Sequence, residues 1–208
     1  MRLILIRHGQ TSDNVGGFLG TTVPGPGLTE LGLEQAAAIP GTLSTEDIGA
    51  IFVSTMIRTH HTATPLSEAL ALPLNIRAGL RELDAGHLEM RNDRASVDTY
   101  ISTLVGWVDG DRSVRIPGSE SGHEAFERFD TVVGEVVSLG HETAVIVSHG
   151  AMLRYWIAAA AANVTAAFVA ENFIHNTGVV IMVGNPTDGW HVESWLGEKK
   201  SAPAVVFK

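Results

Sequence analysis

LILIRHGQT, residues 3–11, runs four apolar residues into Arg7, His8 and Gly9. The apolar part has the length of a strand buried on both faces, and the polar pair with its glycine marks where that strand ends. An isolated Arg-His pair is most often the start of a loop, so its meaning depends on what the rest of the chain repeats. TAVIVSHGA, residues 143–151, again closes an apolar run with a polar residue, a histidine (His149) and a glycine (Gly150). A third run, AIFVS at 50–54, leads within four residues to Arg58. None of the three alternates apolar with polar, which fits parallel strands covered on both faces.

Helical segments lie between these runs. After Thr29, an N-cap by type, ELGLEQAAAI places Leu31, Gln35, Ala38 and Ile39 at helical spacing. Ser121 and Glu124 have capping-box spacing, ahead of Phe126, Phe129, Val133 and Val137. Residues 151–170 read as one buried helix, too alanine-rich and too interrupted by Arg154 and Asn163 for a membrane span. Pro65 is expected to kink or shorten the helix that follows Arg58. GVVIMVG (178–184) and WHVESWLG (190–197) flank NPTDG and read as a hairpin or edge addition. Strands alternating with helices imply an α/β fold. In a parallel sheet the carboxyl ends of the strands share one edge, so His8, Arg58 and His149 converge there although 141 positions separate the two histidines.

With 208 residues, 45% of them hydrophobic, the chain suits a single domain, 1–208, whose last stretch, about 198–208, carries all three lysines and is expected to be loose. The formal charge of −9 argues against general electrostatic binding to nucleic acid or an anionic membrane. There is no cysteine, so disulfides and thiolate chemistry are excluded. The apolar run at the start is shorter than the core of a signal peptide, and the expected location is cytoplasmic.

Two guanidinium groups beside two imidazoles suit a phosphate better than a carboxylate, because the guanidinium is permanently charged and holds two oxygens at once. Neutral His8 can attack phosphorus in line while Arg7, Arg58 and His149 stabilise the charge on the phosphoryl oxygens. This chemistry calls for no metal and no cofactor. His8 must then be neutral, with its Nδ1 proton on a backbone carbonyl and Nε2 free. The adjacent His60 and His61 point in different directions on a helix and are expected to be surface or packing residues. Asp84 and Glu89 are expected to be solvated carboxylates.

LIRHGQT, LTELGLEQA, STMIRTHHTA, LRELDAGHLE, GSESGHEAFER and VSHGAMLR follow one another in an order that resembles the histidine phosphatase superfamily, in its phosphoglycerate-mutase-like branch. The resemblance covers about residues 2 to 155. It implies a three-layer α/β/α sandwich with a central mixed, mostly parallel sheet. It implies that His8 is the nucleophile, that Arg7 binds the phosphoryl group, and that Glu82 donates the proton to the leaving group. Gln10, Thr11 and Asn14 are expected to orient substrate, with Gly20, Thr21 and Gly150 lining the pocket.

The expected activity is hydrolysis of a small phosphate monoester, a sugar phosphate or phosphoglycerate-like metabolite, by a phosphatase of the acid type. A phosphoglycerate mutase is the enzyme alternative. It is less favoured because Ala85 stands where such mutases have Tyr, and only 27 residues separate Glu89 from Pro117. Arg91, Arg94, Arg112 and Arg115 lie in that short segment, where solvation is the expectation. A non-catalytic phospho-ligand module is the alternative of another class, and nothing in the residues favours it. ELDAG is similar to the acid motif of fructose-2,6-bisphosphatases, while Met90 and Ser119 depart from the family's more usual glycines. The oligomeric state is left open, a homodimer included.

Overall fold

The computed structural model describes residues 1–200 and is organised on one seven-stranded sheet. The strands are β1 (Arg2–Arg7), β2 (Ala50–Val53), β3 (Leu74–Ile76), β4 (Thr143–Ser148), β5 (Val179–Asn185), β6 (Gly189–Trp195) and β7 (Glu198–Lys199), in the spatial order β3-β2-β4-β1-β5-β6-β7. The three apolar runs are the adjacent central strands β2, β4 and β1, paired in parallel, and β3 extends them in the same sense. β5 is antiparallel to β1, β6 to β5 and β7 to β6, so five strands run one way and two the other. The hairpin expected from residues 178–197 is β5–β6, joined directly to β1. Glu198 and Lys199 of the expected loose tail form β7, and the tail beyond residue 200 lies outside the described residues.

Side chains alternating along the central strands divide the core in two. Leu3, Leu5, Phe52 and Ile146 face a layer containing α5 (Arg94–Asp109), α6 (Gly122–Ser138) and α7 (Gly150–Ala160), where Trp107, Phe126, Phe129 and Trp156 pack. Ile4, Ile6, Ile51, Val53, Val145 and Val147 face the opposite layer of α2 (Glu30–Ala37), α3 (Ile39–Thr42) and α4 (Ile57–Leu70). With both faces covered there is no place for a polar residue inside these strands. Phe129 and Trp156 lie with ring centroids 4.7 Å apart and are both buried; each such side chain contributes about 1.5–3 kcal/mol by leaving water. The remaining helices are α1 (Ser12–Gly16) and α8 (Ala166–Glu171).

Local rules hold at most helix ends. Thr29 caps α2, and Ser121 and Glu124 form the reciprocal capping box of α6. The structure corrects three expectations about helices. On α2 the buried residues are Gly32 and Ala36, followed by Ile39, while Leu31 is exposed. Gly32 sets that face, because a Cβ there would lie 2.2 Å from the Gln10 carbonyl oxygen. α4 runs unbroken from Ile57 through Pro65 to Leu70, with exposed His61 and Glu68 on either side of the proline. The expected long helix at 151–170 is two, α7 and α8. Asn163 interrupts it: its side chain donates to the Val192 carbonyl and accepts from the Val192 amide, while Ala162 N–H donates to Trp190. Those bonds to β6 replace the helical ones, and Thr165 then caps α8. Among the described residues no helix is long and apolar enough to cross a membrane.

Met90 is one of the departures from the family's usual glycines. It sits in the left-handed region at φ 58, which explains why glycine suits that position. Its N–H donates to Leu19 O and Leu19 N–H donates to Arg91 O, so the conformation is held by the pairing of two loops. The Met90 side chain is 49% exposed and contributes little packing. Met90→Gly is expected to raise stability by about 0.5–1 kcal/mol, read as a higher urea midpoint at unchanged m-value.

Candidate active site

Strand register assembles the site. Arg7 ends β1 opposite Ser148, the last residue of β4, so His8 and His149 leave neighbouring strands side by side. His8 N–H donates to Ser148 O at 3.0 Å, and the two imidazole centroids are 5.3 Å apart. Thr62 of α4 accepts from Gly9 N–H at 2.9 Å, which fixes the start of α4, and with it Arg58, against the same strand end. The result is a cavity of about 460 Å3 at the carboxyl edge of the parallel strands, where ligands of open α/β sheets bind. Arg7, His8, Arg58, Glu82 and Gly150 line its base.

His8 Nδ1 lies 2.7 Å from Gly9 O. A carbonyl only accepts, so Nδ1 carries the proton and Nε2 keeps its lone pair, as the sequence reading requires. Burial holds the His8 pKa well below its ordinary value, with the positive charges of Arg58 and Arg7 adding to it and the Gly9 carbonyl opposing. His149 is buried as well and its pKa is likewise depressed, first by burial and then by Arg58. Arg58 Nε–H donates to His149 Nδ1 at 3.2 Å, which places the His149 proton on Nε2, 2.8 Å from Ser54 Oγ. Both ring nitrogens of His149 are thus engaged with protein, and the residue stands behind Arg58 rather than at the cavity surface.

The two arginines are held differently. Arg7 Nη1 donates to Ile174 O at 2.7 Å, while its Nε is buried with no hydrogen-bond partner. Arg58 Nη2 donates to Gly20 O at 3.1 Å. Neither forms an ion pair among the described residues. Desolvation pulls both guanidinium pKa values down, opposed in each case by the charge of Glu82. Gly150 leaves room for this arrangement, because a Cβ there would stand 3.1 Å from Arg7 Nε.

Glu82 is fixed at the N-terminus of α7. Its Oε1 accepts from Leu83 N–H at 2.9 Å and Met152 N–H at 2.7 Å, and its Oε2 from Ala151 N–H at 3.1 Å. The backbone beneath it hangs on Arg128 of α6, which donates to the carbonyls of Gly79, Arg81 and Glu82 and pairs through two nitrogens with buried Glu120. Glu89 overturns its expected solvation. It accepts from the amides and hydroxyls of both Thr21 and Thr22, and so holds the loop whose Gly20 carbonyl receives Arg58. Asp84 is also engaged, accepting from Gly86 N–H.

Asn14, Gly20, Thr21 and Gly150 line the cavity as expected, and so does Thr11. Gln10 does not: its side-chain oxygen accepts from Thr29 Oγ1, turned toward the start of α2. Arg91, Arg94 and Arg115 pair with Asp93, Asp98 and Glu124, and Arg112 stacks over Phe126. None of the four lines the cavity. His60 packs with Nε2 2.7 Å from Ser54 O, and His61 is exposed. Among the described residues no cluster of three His, Asp or Glu is placed to hold a metal ion. Sequence reasoning missed the outer wall, made by one face of α5 with Tyr155, Phe173, Ile174 and Asn176. The α5 part had a readable signal in Val97, Ile101 and Leu104 at helical spacing after Asp93, a capping residue. The 173–176 loop carried none.

The model of the histidine phosphatase superfamily (branch 1) matches residues 3–196. The chain is 32% identical to the PE-PGRS family protein PE_PGRS11 of Mycobacterium tuberculosis, over 97% of this chain but only 38% of that longer protein. It is 31% identical to the adenosylcobalamin/alpha-ribazole phosphatase of Escherichia coli, over 76% of this chain and 78% of that one. Among solved structures, a mycobacterial glucosyl-3-phosphoglycerate phosphatase in complex with VO3 superposes with a TM-score of 0.78 at 26% identity, covering 95% of this chain and 99% of the other.

Because the folded chain holds His8 and His149 below their ordinary pKa, it resists the protons that the unfolded chain accepts near 6.5. The stability these groups allow is complete above that pH and is lost as pH falls toward the folded values. Unfolding free energy is expected to drop as pH falls from 7.5 to 5.5 through these two groups, and to drop less in His149→Asn, as measured by urea titration. Glu89→Ala is expected to lower kcat/KM for p-nitrophenyl phosphate about 10-fold, because Gly20 O no longer steadies Arg58.

Proposed function

Because the chain belongs to branch 1 of the histidine phosphatase superfamily, we propose that it hydrolyses phosphate monoesters of small metabolites through a phosphohistidine on His8. The observation that carries this reading is a neutral imidazole whose Nδ1 proton is held by Gly9 O, beside two guanidinium groups that have no carboxylate partner among the described residues. Such a pair of buried cations is complementary to the spread charge of a transferring phosphoryl group.

In the first step the Nε2 lone pair of His8 bonds to phosphorus as the ester P–O bond breaks, and Glu82 gives a proton to the departing oxygen. In the second, water attacks the phosphohistidine, Glu82 takes a proton from it, and the N–P bond pair returns to Nε2. Inorganic phosphate leaves. Arg7 and Arg58 bind the phosphoryl oxygens in both steps. His149 acts through Arg58: it holds Nε of the guanidinium and is itself fixed by Ser54, so it is a positioning residue in this arrangement. Asn14, Thr11, Thr21 and Gly150 shape the cavity, and Gln10 serves the scaffold.

Hydrolysis is favoured over mutase transfer by the surroundings. Ala85 is wholly buried and contributes only its amide, which donates to Thr21 Oγ1. The arginines of 91–115 that could have gripped a substrate carboxylate lie away from the cavity. The names of the relatives place the shared chemistry at the phosphoryl end and differ in the group attached to it. A single catalytic domain fits the one continuous sheet of the described residues.

His8→Ala is expected to abolish phosphate release from p-nitrophenyl phosphate in EDTA. Retained release would overturn the assignment of the nucleophile. Glu82→Gln is expected to lower kcat about 10²–10⁴-fold for alkyl phosphates and much less for p-nitrophenyl phosphate, whose leaving group departs without a proton. Equal losses on both would remove Glu82 as the acid. Incubation with 3-phosphoglycerate and a bisphosphate primer is expected to give phosphate rather than 2-phosphoglycerate.

A further inference from the structure

The phosphoryl end of the cavity is charged, and the rest is not. Val97, Tyr100, Ile101 and Leu104 fall at i, i+3, i+4 and i+7 of α5, so one helical face forms the wall above the base. Phe18 and Phe173 stand at the rim with 38% and 59% of their surfaces exposed. Two exposed phenylalanines at the mouth of one cavity mark a surface that gains by being covered. Tyr155 adds to this wall, and its buried hydroxyl has no hydrogen-bond partner among the described residues.

Several other polar groups of the wall are engaged with the protein. Asn14 Oδ1 accepts from Thr11 N–H and from Asn176 Nδ2, and Thr21 is bound to Glu89. Arg154, the third cation in the cavity, donates through Nε and Nη2 to the carbonyl of Val169 and stacks 3.9 Å over Phe173. Asp13 adds a negative charge on the Gly20 side, where a Cβ on Gly20 would meet its carboxylate. Arg154 keeps its charge, whereas an anion on the Gly20 side of the cavity would meet Asp13.

We propose that this wall is a leaving-group subsite for an apolar or aromatic body, so that preferred substrates are monophosphates of hydrophobic alcohols. The inference rests on the phosphatase reading above and deepens it. The phosphate sits on Arg7 and Arg58, and the carbon skeleton next to the ester oxygen lies along Val97 and Ile101 with Phe18 and Phe173 covering it.

The test is a series of primary alkyl phosphates, ethyl, butyl and hexyl, whose leaving groups are chemically alike. kcat/KM is expected to rise about 3-fold per added methylene, and hexyl phosphate to exceed glucose 6-phosphate and 3-phosphoglycerate by at least 10-fold. Ile101→Asp is expected to flatten the series. Binding of the matching alkylphosphonates by calorimetry reads the subsite without turnover, and Kd is expected to fall with chain length in parallel.

A flat or falling series with p-nitrophenyl phosphate still hydrolysed would overturn the subsite and leave the phosphatase reading standing. Phosphonates that tighten with length while no ester is hydrolysed would overturn the phosphatase reading and keep the apolar subsite. Loss of both would overturn both.

Discussion

Two guanidinium groups are kept out of water at the end of a parallel sheet without a carboxylate to pair with either, and the rest of the structure serves that arrangement. Removing a charge from water is costly unless something else stabilises it. Here the backbone does so, through the carbonyls of Ile174 and Gly20, together with the neutral ring nitrogen of His149. These partners accept hydrogen bonds but carry no net charge, so the positive potential is left for a phosphoryl group. The same potential, with burial, keeps both imidazoles neutral. The imidazoles and the two cations are therefore one electrostatic design, in which moving either arginine also changes the histidines.

Holding that potential in place needs rigid loops, and carboxylates away from the arginines provide them. Glu89 fixes the 20–22 loop with hydrogen bonds to four donors, and the Arg128–Glu120 pair suspends the backbone of 79–82 beneath Glu82. Breaking a buried pair of this kind by removing one partner costs about 3–5 kcal/mol, because the other charge is stranded. Glu82 is thus positioned through Arg128 of α6, whose partner Glu120 lies just before that helix. Met90 shows the same priority, since the loop pairing that closes this corner is kept although its left-handed backbone suits glycine better.

The division of the cavity into a charged base and an apolar wall follows from the layers. The base is built from strand ends, where chain direction forces polar residues and backbone termini together. The wall is built from α5, whose inward face must otherwise satisfy the hydrophobic core that continues through Leu104 and Trp107. Residues that complete the core at one end of the helix line the cavity at the other, so substrate preference and core packing share a face.

How much of this was legible depended on distance along the chain. His8, His149 and Arg58 could be found because each follows an apolar run that can only be a buried strand, and parallel strands deliver their ends to one edge. The protonation of His8 was also legible, since a nucleophilic imidazole needs its other proton held, and the nearest carbonyl is one residue away. Residue type failed where a polar side chain had two uses. Gln10 serves the start of α2, Glu89 serves a loop 67 residues earlier, and Asn163 breaks a helix in favour of β6. Sequence by itself determined the central strands and the edge they share, because those follow from periodicity, while the chemistry placed on that edge was read from residue types and from the resemblance to a family. Only the tertiary structure decided which polar groups face the cavity and what lines its wall, because those choices depend on partners brought together by packing across the whole fold.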